Sequence, residues 1–286
     1  TQTEYNLEST TRLAVTATLS ENDTFGNSFN FLYSENMDLT NAPAFDLSTN
    51  FTLESWVKVP SSASNIKTIF GKSGAGLQDD GFTLGVNTWQ QSDFKLNLEA
   101  YTDLQSTGSI LPDVWQHVAY VQDNGVGTFY INGDPAGSGP VTVRSSPNVN
   151  AIIGAMSDYN YPFEGNIDEL KIWNTSRTAV EISSNMYQQL SGTETGLVAY
   201  YKFNQGVAGA NNSSISSLID TSVNALNGTI NAGLNGQSGN FVSSALALPI
   251  TSSSNTICSG GSIQFSHLVS GGTWSSSDTS IFTISS

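Results

Sequence analysis

Apolar residues recur along this chain at alternate positions or in short, nearly continuous runs, with clusters of Gly, Asn, Asp, Ser and Pro between them. Strands that bury one or both faces have this pattern. Ten runs carry it: FNFLYS from Phe29, FTLESWVKV from Phe51, KTIFGKS from Lys67, FTLGVN from Phe82, FKLNLEAY from Phe94, WQHVAYVQD from Trp115, GTFYING from Gly127, NAIIGAM from Asn150, GNIDELKIW from Gly165 and GLVAYYKF from Gly196. In FKLNLEAY the alternation is strict: Phe94, Leu96, Leu98 and Ala100 share one face, and Lys95, Asn97 and Glu99 the other. So many strands with little helix predict an all-β, antiparallel sandwich.

Three local signals refine that picture. Asn132-Gly133 predicts a tight hairpin, because both residues accept the positive φ that matches the twist of the flanking strands. In GNIDELKIW the apolar phase shifts between Ile167 and Leu170, so either a bulge lies near Asp168 and Glu169 or both strand faces are buried. Thr178 and Glu181 have capping-box spacing, and Val180, Ile182, Met186 and Leu190 could line a helix running to about Leu190 and packed on the sandwich. After Ala247 the character changes, and residues 248–286 look like a second β-rich module. Its roughly forty residues are too few for a sandwich of about a hundred, so it is expected to be the start of a longer domain. Residues 1–25 form an N-terminal segment that is either a strand or a linker, and residues 26–247 form the main domain.

Composition narrows the function classes. Charged residues are only 12%, and the net charge of −15 comes from 24 acidic and 9 basic side chains. Such a surface repels nucleic-acid phosphates and anionic lipids, so neither is an expected partner. Loop carboxylates favour hard cations such as calcium. Cys258 is the single cysteine, so no intrachain disulfide forms, and no apolar run is long enough to span a membrane.

From about Asn27 to Val242 the chain resembles the laminin-G-like, concanavalin A-type jelly rolls. The residues that carry this are FTLESWVKV (51–59), then WQHVAYVQDNGVGTFYINGDPAG (115–137), then IIGAMSDYNYPFEGNIDELKIWNTSRTAVEI (152–182). The same stretch resembles pentraxins, whose calcium-dependent ligand site is built from two loops. LQDDGFTLGV (77–86) and GAMSDYNYPFEG (154–165) stand in their places. The resemblance implies Asp79, Asp80 and Asp158 as calcium ligands, with Asn160 a further candidate. It also implies Asp168 as part of a separate structural calcium site on the rim. The segments GLVAYYKFNQGVAGANN, LIDTSVNALNGTI and GGTWSSSDTSIFTIS resemble large secreted surface proteins of Bacteroidetes, in which laminin-G-like domains sit beside immunoglobulin-like repeats.

Sugar recognition needs an aromatic platform with hydrogen-bonding groups around it. Trp89 in the NTWQQSD loop, and Tyr159 and Tyr161 beside Asp158, are the candidates, whereas Trp56, Trp115 and Trp173 have strand contexts that predict core positions. Catalytic signals are missing. Glycoside hydrolases on this fold carry an E-x-D-x-x-E strand, and the nearest segment, EGNIDEL (164–170), has the wrong spacing. His117 and His267 have no triad or H-x-x-x-H spacing, and GKSGAG (71–76) lacks the phosphate-loop pattern. The expectation is a secreted or bacterial cell-surface module, not an enzyme, that binds an extracellular glycan or glycoprotein with calcium assistance. The alternative is a structural spacer in a long surface protein.

Overall fold

The computed structural model describes residues 25–32, 34–73, 80–146, 148–235 and 239–244, together with the backbone of four short strands at 15–18, 250–252, 265–267 and 273–276. The chain divides into two compact units, residues 25–245 and the two termini, 1–24 with 246–286. In the terminal unit β1 (Val15–Thr18) pairs antiparallel with β20 (Thr273–Ser276), and β18 (Ile250–Ser252) with β19 (Phe265–His267). The N-terminal strand therefore shares its unit with the C-terminal residues. Cys258 lies outside the described residues.

The large unit is a sandwich of two antiparallel sheets, each eight-stranded among the described residues. The first sheet has the order β11 (Asp134–Pro140), β10 (Val126–Ile131), β9 (Gln116–Asp123), β4 (Asn50–Lys58), β13 (Gly165–Trp173), β2 (Asn27–Phe31), β17 (Asn240–Ser243), and β14 (Leu197–Tyr201) also pairs with β13. The second runs β15 (Ser217–Leu218), β16 (Gly228–Asn231), β3 (Asn36–Leu39), β12 (Ile152–Ile153), β5 (Lys67–Ser73), β6 (Gly81–Val86), β7 (Lys95–Glu99), β8 (Leu104–Ser109). Inward-facing aromatic residues from both sheets form one core. Phe51 of β4 stacks on Phe82 of β6 at 4.7 Å between centroids, and Phe82 on Phe70 of β5 at 5.9 Å.

All ten sequence-read runs contain strands, and the alternation of β7 holds, with Leu96 and Leu98 in the core and Phe94 packed against it. Strands β3, β8, β11 and β15–β17 lie outside those ten runs. β8 and β11 are sheet edges whose residues LQSTGS and DPAGSGP bury few positions, so their sequences show no apolar pattern. The hairpin forms as expected, with Asn132 at φ 52° and Gly133 at φ 85° between β10 and β11. At the phase shift in β13 both alternatives hold. The register against β4 slips between Asp168 and Lys171, with Glu169 at φ 53°, and Ile167–Trp173 are all buried.

The helix α1 spans Ala179–Asn185 and has both halves of the capping box. It ends short of Leu190, and Val180 is exposed, because the apolar stripe turns inward at Ile182 instead. Trp56 and Trp173 are buried, but Trp115 precedes β9 and is only half-buried.

On the outer side of the first sheet the helix and the following segment cover a buried polar layer. Trp56 Nε1 donates to Met186 O at 2.8 Å, and Trp173 Nε1 donates to Glu54 Oε1 at 2.8 Å. Burial alone would raise the Glu54 carboxyl, but His117, Lys171 and Trp173 more than offset it and hold it below its usual range. Burial depresses His117, whose Nε2 is 3.4 Å from Glu54 Oε2. This is a packed, structural histidine.

Next to it lies an acid pair. Burial, then the neighbouring Glu169, raise Asp168 well above its normal value. Burial pushes Glu169 up to about 7 against the pull of Lys171 and a hydrogen bond from Tyr200. A raised carboxyl binds its proton more tightly in the folded chain. Its stabilisation is therefore complete below the unfolded value of 4.5 and is lost as pH rises through about 7. The Glu169→Gln variant should remove this loss. The melting midpoint of the variant minus that of the wild type is expected to rise by roughly 5 °C between pH 4.5 and 8. A difference that stays flat with pH would contradict the assignment.

Candidate functional site

Two loops converge over the β5–β6–β7 region of the second sheet. The first, residues 87–94, is anchored by Asn87, a fully buried residue at φ 65°. Its backbone N–H donates to Lys95 O at 2.9 Å, its Oδ1 accepts from Phe94 N at 2.8 Å, and its carbonyl accepts from Asn97 Nδ2 at 2.5 Å. Asp93 closes the turn by accepting from Thr88 N and Thr88 Oγ1. Trp89 stands at the tip, 56% exposed.

The second loop, residues 154–164, is strapped onto β5. Gly154 N donates to Ile69 O, Thr68 N to Tyr161 O at 3.1 Å, and Ser73 N to Ser157 Oγ at 3.1 Å. Gly71 permits this approach, since a Cβ there would lie 2.9 Å from Ala155 O and 3.0 Å from Met156 Cα. The strap brings the Tyr161 ring to 5.8 Å from Trp89, edge to face at 65°. Tyr159 is exposed, and its hydroxyl donates to Asp38 Oδ2 at 3.1 Å. Tyr159 and Tyr161 both adopt positive φ, 65° and 49°, as do Gln90 and Phe94 in the facing loop. Non-Asn residues held in that region cost about 1 kcal/mol or more each and persist where surrounding contacts impose them.

Beneath the rings lies a sheet face with a polar floor. Thr68, Gly85 and Asn97 pair across β5, β6 and β7, and Thr83 pairs with Glu99 one step further along. Thr68 and Asn97 are buried, yet Thr68 Oγ1, Asn97 Oδ1 and Glu99 Oε2 have no hydrogen-bond partner among the described residues. Burial, with Asp103 nearby, pushes the Glu99 carboxyl up to about 7. Burial and the charges of Glu99 and Asp158 raise the phenol of Tyr161.

Of the sequence-predicted residues, Trp89 and Tyr161 meet, Tyr159 lies on the same loop as Tyr161, and Asp158 lies close enough to act on Tyr161. Thr68, Asn97, Glu99 and Asp38 were not singled out. Only the alternation that set Asn97 and Glu99 on the polar face of β7 hinted at them. Asp79 lies outside the described residues, and Asp80 is exposed before β6. Asp158 accepts from Asn160 N at 3.1 Å and from Asn160 Nδ2 at 2.8 Å, so these two candidates engage each other. Asp168 is buried in the other sheet and accepts from Glu169 N and Ser244 Oγ. The described residues place no group of three or more His, Cys, Asp or Glu side chains to hold a metal, and no helix among them is long and apolar enough to cross a membrane. A cavity of about 210 Å³ on the rim, lined by Asn30, Lys58, Pro60, Asp113 and Glu164 among others, is smaller than an ordinary ligand pocket.

Two antiparallel sheets packed face to face, with long loops over one of them, define a jelly-roll sandwich. The laminin-G-type profile of the concanavalin A-like lectin/glucanases superfamily matches residues 33–183, more than half of the chain, and the chain belongs to this family. Mouse pappalysin-1 is 24% identical over 154 residues, which are 48% of this chain and 10% of that protein. Among solved structures, a proposed carbohydrate-binding protein of Bacteroides ovatus superposes with a TM-score of 0.60 at 20% identity, over 77% of this chain and 60% of that one. The native heptameric SAP-like pentraxin of Limulus polyphemus gives a TM-score of 0.43 at 17% identity, over 60% of this chain and 87% of that one. The chain thus spans a tenth of its curated relative and 60% of the Bacteroides protein. The superposition on the Bacteroides protein shows the same fold.

Proposed function

We propose that the 25–245 unit is a non-catalytic carbohydrate-binding module whose ligand packs on Trp89 and Tyr161 above the β5–β6–β7 face. The observation that carries this reading is the meeting of two aromatic rings from separate loops, with unpartnered polar atoms held just beneath the surface of the sheet they cover. Sugar C–H faces pack on such rings while nearby polar groups meet the hydroxyls. Membership of a lectin and glucanase family supports it, as does the likeness to the proposed carbohydrate-binding protein of Bacteroides ovatus. We place the module on a secreted or cell-surface bacterial protein that engages glycans or glycoproteins outside the cell, beside an immunoglobulin-like module. The acidic, cysteine-poor composition supports that setting. Affinity electrophoresis through gels containing defined polysaccharides tests the reading. Retardation by at least one polysaccharide, with no new reducing ends after long incubation, is expected. Release of reducing ends would make the module a hydrolase, and migration unaffected by any glycan would favour a structural spacer.

Calcium assistance is part of the proposal. It rests on the pentraxin resemblance and on Asp79, Asp80 and Asp158, and no contact at the aromatic pair is routed through a metal. If calcium binds the native state alone, a hundredfold excess over its Kd raises the melting midpoint by roughly 5–10 °C. The Asp79/Asp80/Asp158 triple alanine variant should lose that shift. A wild-type midpoint that does not move with calcium or chelator contradicts calcium assistance.

A further inference from the structure

Thr68, Asn97 and Glu99 lie together on the floor below Trp89 and Tyr161, and their unpartnered atoms have a chemical sense. Asn97 Nδ2 is committed to the Asn87 carbonyl, which fixes the amide and leaves Oδ1 as a pure acceptor. Gly85 leaves room between Asn97 and Thr68 that Asn97 Oδ1, Lys67 O and Ile66 Cγ2 fill. A Cβ at Gly85 would lie 2.9 Å from Asn97 Oδ1, so that oxygen leans across the glycine towards β5. Glu99 Oε2, on the next outward position of the same strand, accepts when the carboxyl is ionised and can donate when it is protonated, and Thr68 Oγ1 can do either. A buried acceptor left unmatched is unfavourable, so a ligand whose docking uncovers these atoms and supplies donors gains affinity there.

The charges around the rings have one dominant sign. Asp93 closes the Trp89 loop, Asp158 and Glu99 act on Tyr161, Asp38 accepts from Tyr159, and Asp103 stands beside Glu99. Of the lysines, Lys67 is paired with Glu164 at 3.3 Å, and Lys95, on the same face of β7 as Asn97 and Glu99, is a single point charge among these acids. Arg144 lies over the Tyr101 ring at 3.3 Å. Among the described residues both guanidiniums are engaged elsewhere, Arg144 over Tyr101 and Arg177 over Trp173, so neither fork is placed at the aromatic pair to receive a carboxylate or sulfate.

Building on the proposed glycan site, we infer that it is specific for neutral sugars, with Asn97, Glu99 and Thr68 taking donor hydroxyls and the acidic rim excluding sialylated, uronate-bearing and sulfated glycans. The high Glu99 carboxyl accords with an acid held away from water beside another acid. Exclusion follows from the same atoms that bind, since a carboxylated sugar would set acceptors against acceptors inside a negative rim.

The test uses the full chain on an array of neutral oligosaccharides (gluco-, manno-, galacto-, xylo- and arabino-series) and acidic glycans (sialyllactose, polygalacturonate and heparin). The expected result is retention on at least one neutral series and none on the acidic glycans. Trp89→Ala should abolish retention, and Asn97→Ala and Glu99→Gln should each weaken it about tenfold or more. Glu99→Gln conserves shape, so it reports on binding even if Asn97→Ala, which also loses its bond to Asn87, melts early. Acidic glycans held as well as neutral ones, still through Trp89, would overturn the charge selectivity and leave the binding site standing. Neutral binding indifferent to both Asn97→Ala and Glu99→Gln would overturn the polar floor. No retention on any glycan, or retention indifferent to Trp89→Ala, would overturn the site itself and the inference with it.

Discussion

Replacing Trp89 and Tyr161 together by alanine is expected to lower glycan affinity at least a hundredfold while shifting the melting midpoint by only a few degrees. The two rings form the contact surface, and truncating a central aromatic anchor typically costs about 2 kcal/mol or more, so losing both removes well over a factor of a hundred. Stability should change little because Trp89 is mostly exposed and is joined to its loop by backbone. That loop is held by Asn87 and Asp93, and the facing strap by Thr68 and Ser157, none of which the variant touches. Isothermal titration with a retained oligosaccharide, alongside a thermal melt, separates the two effects. A variant that binds normally contradicts the platform. One that melts far below the wild type would show that the rings hold the loops, not the ligand.

The second large effect concerns stability on the opposite sheet. Trp173→Ala should destabilise the large unit by about 3–5 kcal/mol, lowering the midpoint by roughly 10 °C or more. The indole is 1% exposed and packs with Leu190, Leu197 and Tyr200. Its Nε1–H satisfies Glu54, and the Arg177 guanidinium lies 3.9 Å above the ring. Removing it opens a cavity and strips a donor from a buried carboxylate at once. Trp173→Phe keeps most of the volume and loses the donor, so its midpoint should fall between the two. Equal losses in Phe and Ala variants would assign the whole effect to the Glu54 hydrogen bond, and a negligible loss in both would contradict the packed polar layer.

Strands buried on one or both faces could be read from the sequence because their apolar residues keep period two, as in β7, or run continuously, as in β13. Edge strands such as β11, with Pro135 and Pro140, were silent because a strand that packs little needs no pattern. The helix start was legible in Thr178 and Glu181. Its end was not, because Met186 and Leu190 are buried by the segment after the helix and not by continued turns. At the candidate site the sequence supplied Trp89, Tyr159 and Tyr161 as polar-loop aromatics but not that Trp89 and Tyr161 meet. That meeting depends on a long-range strap from residues 154–164 onto β5, which no local signal encodes. Thr68, Asn97 and Glu99 look like ordinary outward-facing strand residues. Only the loops folded over them make two of them buried polar residues and set an oxygen of each below the surface without a partner.

The most direct measurement is an amide and indole NMR titration of the full chain with a neutral oligosaccharide that retards it in affinity gels. The account predicts that the largest shifts fall on the Trp89 indole N–H, the Tyr161 amide and the amides of Thr68, Gly85 and Asn97, saturating together at one Kd. Shifts centred instead on Lys58, Asp113 and Asn166 at the rim cavity, with Trp89 unmoved, would contradict it.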